Sequence, residues 1–193
     1  MEPYEAIRQT IRKRRTVNQF TADPVPVPLI LELLEEAVWA PFHSRREPWR
    51  FLLFAGEGRR QFSDAVLATY PADKLKQYGE KVAEAYCKGV PIHLVVLIDE
   101  EPRPKEWEEA FSAASALIQN LQLLAWERKL GVVWKTNEYN WDPRFREAVG
   151  VKPGQKVVGT LHMGYFEEDK ARRARPRTPV RELLTLIEDA PTQ

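Results

Sequence analysis

Two guanidinium groups and a hydroxyl stand at consecutive positions in Arg14-Arg15-Thr16, a grouping that suits a phosphate. Arginine offers a planar fork of donors matched to phosphate oxygens, and a threonine hydroxyl adds a short hydrogen bond at the same place. The same three residues also read as a solvated basic helix end. A second basic cluster, Arg172-Arg173-Ala174-Arg175-Pro176-Arg177-Thr178-Pro179, lies near the other terminus, where alternate prolines hold the chain extended. The two clusters either converge on one anionic ligand or each face solvent. Between them, the segment from Ala40 to Phe51 packs Phe42, His43, Ser44, Arg45, Arg46, Glu47 and Trp49 into a loop that leads into a strand, and such loops often hold function. His43 can bond a cofactor or a substrate, or be a plain surface histidine; Trp49 reads as core.

Other chemistries find no residues to carry them. The three histidines are scattered, and no glycine run opens a helix after a strand. No Ser/His/Asp triad, metal cluster, P-loop or GxGxxG therefore assembles. Glu35 and Glu36 are adjacent on a helix rather than facing, which reads as a solvated pair and not as paired-carboxylate chemistry. Lys plus Arg total 29 against 28 Asp plus Glu, so no global field argues for nucleic acid or an acidic membrane, and no aromatics interleave with the arginines. The single cysteine, Cys87, excludes an intrachain disulfide and a multi-thiolate zinc site and fits a reducing compartment. The start carries no apolar signal core, and no stretch approaches the roughly 18 apolar residues of a membrane span, so a soluble cytoplasmic protein is expected.

These groups need a scaffold, and the hydrophobic periodicity supplies one. Tyr4, Ile7 and Ile11 predict a first helix ending near Arg14; Pro28 opens a second, from Leu29 to Ala40, stopped by Pro41. Phe51 to Phe54 reads as a buried strand, followed by helices carrying Phe62, Ala65 and Val66, then Leu75, Tyr78 and Val82. Ile92 to Ile98, almost wholly apolar and β-branched, belongs at the sheet centre. A long helix follows from Trp107 to Ala125, with Gly131 expected as its C-terminal cap and the small run Ala113-Ala114-Ser115-Ala116 allowing close packing. Val132 to Trp134 and Val157 to Tyr165 read as strands, the last interrupted by Gly159 and Gly164. Thr178-Pro179 caps a short helix bearing Leu183, Leu184 and Ile187. Helices and strands mix without a strict βαβ repeat, which predicts an α+β fold: a three-layer α/β/α sandwich on a central mixed sheet, one domain over residues 1–193.

Taken in order, Arg14-Arg15-Thr16-Val17-Asn18-Gln19-Phe20, then Ala40-Pro41 through Pro48-Trp49-Arg50-Phe51, then Leu130-Gly131-Val132-Val133-Trp134-Lys135-Thr136-Asn137, resemble the FMN-dependent nitroreductase family. Val157 to Tyr165 looks like that family's last core strand. The resemblance implies an intertwined homodimer with non-covalent FMN at its interface. It also implies one site used alternately by NAD(P)H and by a small planar electron-poor acceptor, with hydride passing through flavin N5 in a ping-pong mechanism. By matching position, Arg14, Arg15, Thr16 and Asn18 would hold the phosphate and ribityl chain, and Arg175 and Arg177 would close from the C-terminal side. Phe42, His43, Arg45 and Glu47 depart from the most familiar pattern and resemble a smaller branch in which His43 and Glu47 face the flavin from the partner subunit. Trp134, Lys135 and Thr136 would lie along the ring edge. No obligatory acid–base side chain is implied, and a non-catalytic FMN-binding or sensor protein on the same fold is the alternative.

Overall fold

A computed structural model describes residues 2–43, 46–171 and 173–187. Four strands form one sheet in the order β1-β2-β4-β3: β1 (Trp49–Ala55), β2 (Ile92–Asp99), β3 (Leu130–Lys135) and β4 (Gln155–Tyr165). All three pairings are antiparallel, and the parallel component of the sheet is confined to a bridge between Thr16 and Val132 on the outer edge of β3. The expected central strand is an inner strand, buried along Ile92 to Ile98. Every second side chain of a strand takes the opposite face. Accordingly Ile92, Leu94, Val96 and Ile98 enter one core, and Val95 and Leu97 enter another.

The first core lies under α2 (Val27–Ala37) and α5 (Pro104–Glu127), with Ile30, Leu33, Leu117 and Leu121 fully or almost fully buried. The second lies under α3 (Gly58–Leu67), α4 (Ala72–Cys87) and α6 (Pro143–Val149), centred on Phe62 and Phe145. Helices on both faces of a sheet make the α/β/α sandwich. Ala113 and Ala114 are buried and Asn120 donates to the Ala37 carbonyl across the α2–α5 contact, so the small run serves core packing. No helix among the described residues is long and apolar enough to cross a membrane.

Several boundaries differ from expectation, each for a local reason. The helix α2 ends at Ala37 and finishes in turns through Ala40. Gly131 does not cap α5. The chain reverses instead at Lys129, whose φ is 58°, and Gly131 sits inside β3. Gly159 and Gly164 do not interrupt β4; the register slips between Val96 and Leu97, leaving Val158 as an extra residue in a bulge beside Gly159. The last helix, α7 (Val180–Leu183), stops before Leu184 and Ile187, and Thr178 makes no capping bond. The helix α6 is absent from the expected elements although Asp142-Pro143 marks its start. Asp142 caps it by accepting from the Arg144 amide at 2.9 Å.

Candidate functional site

The first arginine motif is held flat across the end of the sheet. Val17 donates its amide to the Val132 carbonyl at 3.1 Å, and Thr21 donates to the Tyr165 carbonyl at 2.8 Å. Gly131 and Gly164 are cross-strand partners, and their missing side chains make room for this segment. A Cβ on Gly131 would lie 2.6 Å from Val17 Cβ, and one on Gly164 would lie 2.8 Å from Phe20 Cβ. The glycine expected to end a helix is therefore a seat for the segment that carries the first arginine motif.

Arg14 is the first residue past α1 (Pro3–Lys13), where unpaired carbonyls collect negative potential. Arg15 Nη1 folds back on those carbonyls, donating to Arg12 and Arg14 at 2.6 and 2.7 Å. Arg14 Nη1 is buried and has no hydrogen-bond partner. Its guanidinium pKa is lowered, first by burial and then by the positive charges of Arg15 and Arg177. Positive charge from both ends of the chain thus bears on Arg14, an arrangement that a bound anion would relieve. The charge of Arg177 acts on Arg14; Arg175 is exposed and shows no bond to Arg14, and Arg172 lies outside the described residues. Thr16 and Asn18 line a cavity of about 200 Å³ that Phe166 and Lys170 also line.

Trp134 and Lys135 end β3, which is an edge strand, and Thr136 follows directly after it. Val132 already turns its carbonyl outward to Val17, so strand alternation turns the amide and carbonyl of Trp134 to the same open edge. The Lys135 carbonyl faces inward and accepts from Asn140 Nδ2 at 3.2 Å, and Asn140 Oδ1 accepts from the Thr160 hydroxyl at 2.9 Å. Across a planar trans peptide the C=O and N–H point in opposite directions, so the Thr136 amide faces outward as well. Trp134 lays its indole over Gly159, where a Cβ would lie 2.0 Å from Nε1.

His43 and Glu47 are exposed on the loop after α2 and make no bond to Arg14, Arg15 or Arg177. His43 Nε2 lies 3.7 Å from Glu109, above a cavity of about 260 Å³ that also contains Arg46 and Asp99. Ser44 and Arg45 lie outside the described residues. Phe42 packs on the buried Trp49 with ring centroids 6.3 Å apart.

Over most of its length this scaffold has known counterparts. The model of the nitroreductase family matches residues 11–165. The chain belongs to the nitroreductase family. YfhC of Bacillus subtilis, provisionally named an NAD(P)H nitroreductase, is 34% identical over 185 residues, covering 94% of each chain. A nitroreductase-like family protein from Bacillus cereus superposes with a TM-score of 0.91 at 41% identity, covering 98% of this chain and 100% of its own. A provisionally named nitroreductase from Desulfovibrio desulfuricans, solved in complex with FMN, gives 0.72 at 26% identity and covers 99% of both chains.

Within this nitroreductase scaffold the sequence motifs do not disclose three polar features. Asn140 and Thr160, respectively 3% and 0% exposed, clamp the inner side of the Lys135–Thr136 peptide. The histidines are not all scattered in space: β2–β4 register brings His93 opposite His162, both buried against Phe62. Tyr139 keeps its phenol buried and without a hydrogen-bond partner, and burial holds its pKa far above the usual tyrosine range. No group of His, Cys, Asp and Glu among the described residues can hold a metal ion.

Proposed function

We propose that the chain, as one domain over residues 1–193, is an FMN-dependent oxidoreductase. It draws hydride from NADH or NADPH and reduces small planar electron-poor acceptors such as nitro compounds or quinones. The observation that carries this reading is the convergence of Arg14, Arg15 and Arg177, with one buried guanidinium nitrogen left without a partner. A phosphate dianion satisfies that nitrogen and neutralises the mutual repulsion in one step. Thr16 and Asn18 then follow the ribityl chain, and Trp134, Lys135 and Thr136 meet the ring along the open edge of β3. Arg175 adds longer-range positive charge.

FMN, when bound, supplies the redox chemistry, taking hydride at N5 from the nicotinamide and returning electrons to the acceptor in a second half-reaction. The chain's own part is positional. The outward Thr136 amide offers a donor to the N5/O4 side of the ring, and Lys135 places positive charge where reduction adds negative charge. Neither step needs a side chain to move a proton. His43 and Glu47 act from the partner subunit of a homodimer. Support for that assembly comes from large apolar side chains left in solvent, Trp39 at 84% and Ile187 at 90% exposure, with Tyr4, Ile7 and Leu183. The lone Cys87 suits a reducing cytoplasm.

The purified protein is expected to be yellow with the absorbance of oxidised FMN, and to bleach anaerobically on addition of NADH or NADPH. Flavin bound but unbleached by either nucleotide would assign the chain to the non-catalytic sensor reading. Colourless protein that takes up no added FMN would end both.

A further inference from the structure

A cleft of about 1140 Å³ opens beside the Lys135–Thr136 segment, with Thr136, Asn137 and Glu138 on one wall and α4 on the other. The helix presents Lys74, Tyr78 and Lys81 to it, residues spaced by four and then three positions and therefore stacked on one face. Tyr70 also lines it. Both ammonium groups are without an ion pair among the described residues, whereas Lys88 on the same side of the sheet pairs with Glu84 at 3.1 Å. Glu138 is the single carboxylate on the lining and bonds neither lysine. The walls are thus aromatic and the balance of charge is positive, next to the place where the proposed function puts the edge of the flavin ring.

We propose that this cleft selects flat acceptors bearing an anionic substituent, a carboxylate or sulfonate. Lys74 and Lys81 pair with the acid group while the planar body lies against Tyr70 and Tyr78 and reaches toward Thr136. The inference rests on the flavin reading for the placement of the ring, but the charge selection belongs to α4 alone. Each lysine is exposed, so the pairing is screened, and two such contacts together amount to about a tenfold preference at low salt.

The test compares 4-nitrobenzoate with its neutral counterpart 4-nitrobenzamide on the purified holoprotein. The wild type is expected to favour the carboxylate about tenfold in kcat/KM, through KM, with the preference fading as salt rises. The double variant Lys74→Gln with Lys81→Gln should lose that preference and keep its turnover of the neutral compound. Glu at both positions should favour a cationic nitrobenzyl trimethylammonium instead. Calorimetric binding of the two benzoate derivatives to the same proteins gives a readout that survives failure of the redox reading. If the double variant keeps the wild-type ratio in both assays, the proposal is wrong. If its KM for NADPH rises while the acceptor ratio holds, the anionic group belongs to the donor's phosphate and the acceptor assignment is overturned.

Discussion

His93 Nδ1 lies 2.8 Å from His162 Nδ1, two buried ring nitrogens with one hydrogen between them. His93 Nε2 lies 3.0 Å from the Tyr86 carbonyl, which can only accept, so that nitrogen carries the hydrogen. A neutral His93 then has a bare Nδ1, and the shared hydrogen belongs to His162. A further proton on His93 Nδ1 would set N–H against N–H.

Burial is the first cause that keeps both rings neutral, lowering His93 to about 4 and His162 well below the ordinary histidine range. Arg59 adds to the effect on His93, and His93 itself and Lys135 add to that on His162. The folded values lie below the unfolded value, so as pH falls the unfolded chain takes protons first. Stability from the pair is therefore complete above about pH 6.5 and is lost as pH falls toward 4, at about 1.4 kcal/mol per pH unit for each fully titrating ring. Urea midpoints measured from about pH 7.5 down to about pH 5 should fall steeply in the wild type. The double variant His93→Leu, His162→Leu should show a much flatter profile; an equal slope would place the acid sensitivity elsewhere.

The Asn140 clamp makes a second prediction. Asn140→Ala leaves the part-buried Lys135 carbonyl and the buried Thr160 hydroxyl without their partner, which costs about 1–3 kcal/mol. Thr160→Val should cost a similar amount, and Thr160→Ser, which keeps the hydroxyl, clearly less. Since the clamp sets the direction of the Thr136 amide, Asn140→Ala should also shift the flavin midpoint potential. A potential equal to wild type would make the clamp structural only.

Why this clamp and the histidine pair are not legible in the sequence follows from what periodicity can register. The unbroken apolar run from Ile92 to Ile98 announces a strand with two covered faces, and the spacing from Trp107 to Ala125 announces a long helix, because both are properties of a single segment. His93 meets His162, and Asn140 meets Thr160, only through the register of β2, β3 and β4, which no local pattern states. Arg14 and Arg177 stand out by composition, but their approach is again a product of topology. Gly131 misleads for a related reason. A glycine after a helix is a common cap, whereas the need for space beneath Val17 arises from a segment at the far end of the chain.

That close approach is itself testable. Gly131→Ala would drive a Cβ to within 2.6 Å of Val17 Cβ, and Val17 must lift off β3, taking the Arg14–Thr16 motif with it. The expected result is a loss of about 1–3 kcal/mol in stability together with weaker FMN binding. Gly150→Ala, at a turn with φ of 88° and open space around it, supplies the control. It should cost roughly 1 kcal/mol through backbone strain and leave FMN affinity unchanged. Equal FMN affinity in the two variants would separate the glycine seat from the phosphate site.

Removal of Arg14 should act in opposite directions on the two forms of the protein. In the absence of a phosphate, its guanidinium is partly buried, short of a partner and crowded by Arg15 and Arg177, so Arg14→Ala relieves desolvation and repulsion. The FMN-free variant is expected to melt at or above the wild-type temperature. With FMN present the same substitution should delete the proposed charge-assisted phosphate contact and weaken binding by about 1.5–3 kcal/mol. Arg177→Ala should follow it with a smaller loss, and Arg175→Ala, exposed and unbonded to the cluster, should be the mildest of the three. Thermal melts with and without saturating FMN measure both effects on one sample, because ligand bound only to the folded state raises the melting temperature in proportion to its affinity. Were Arg14→Ala to lower the melting temperature of the FMN-free protein and leave the FMN-induced rise intact, the arginine would be a structural residue, and the phosphate would have to be sought elsewhere on the surface.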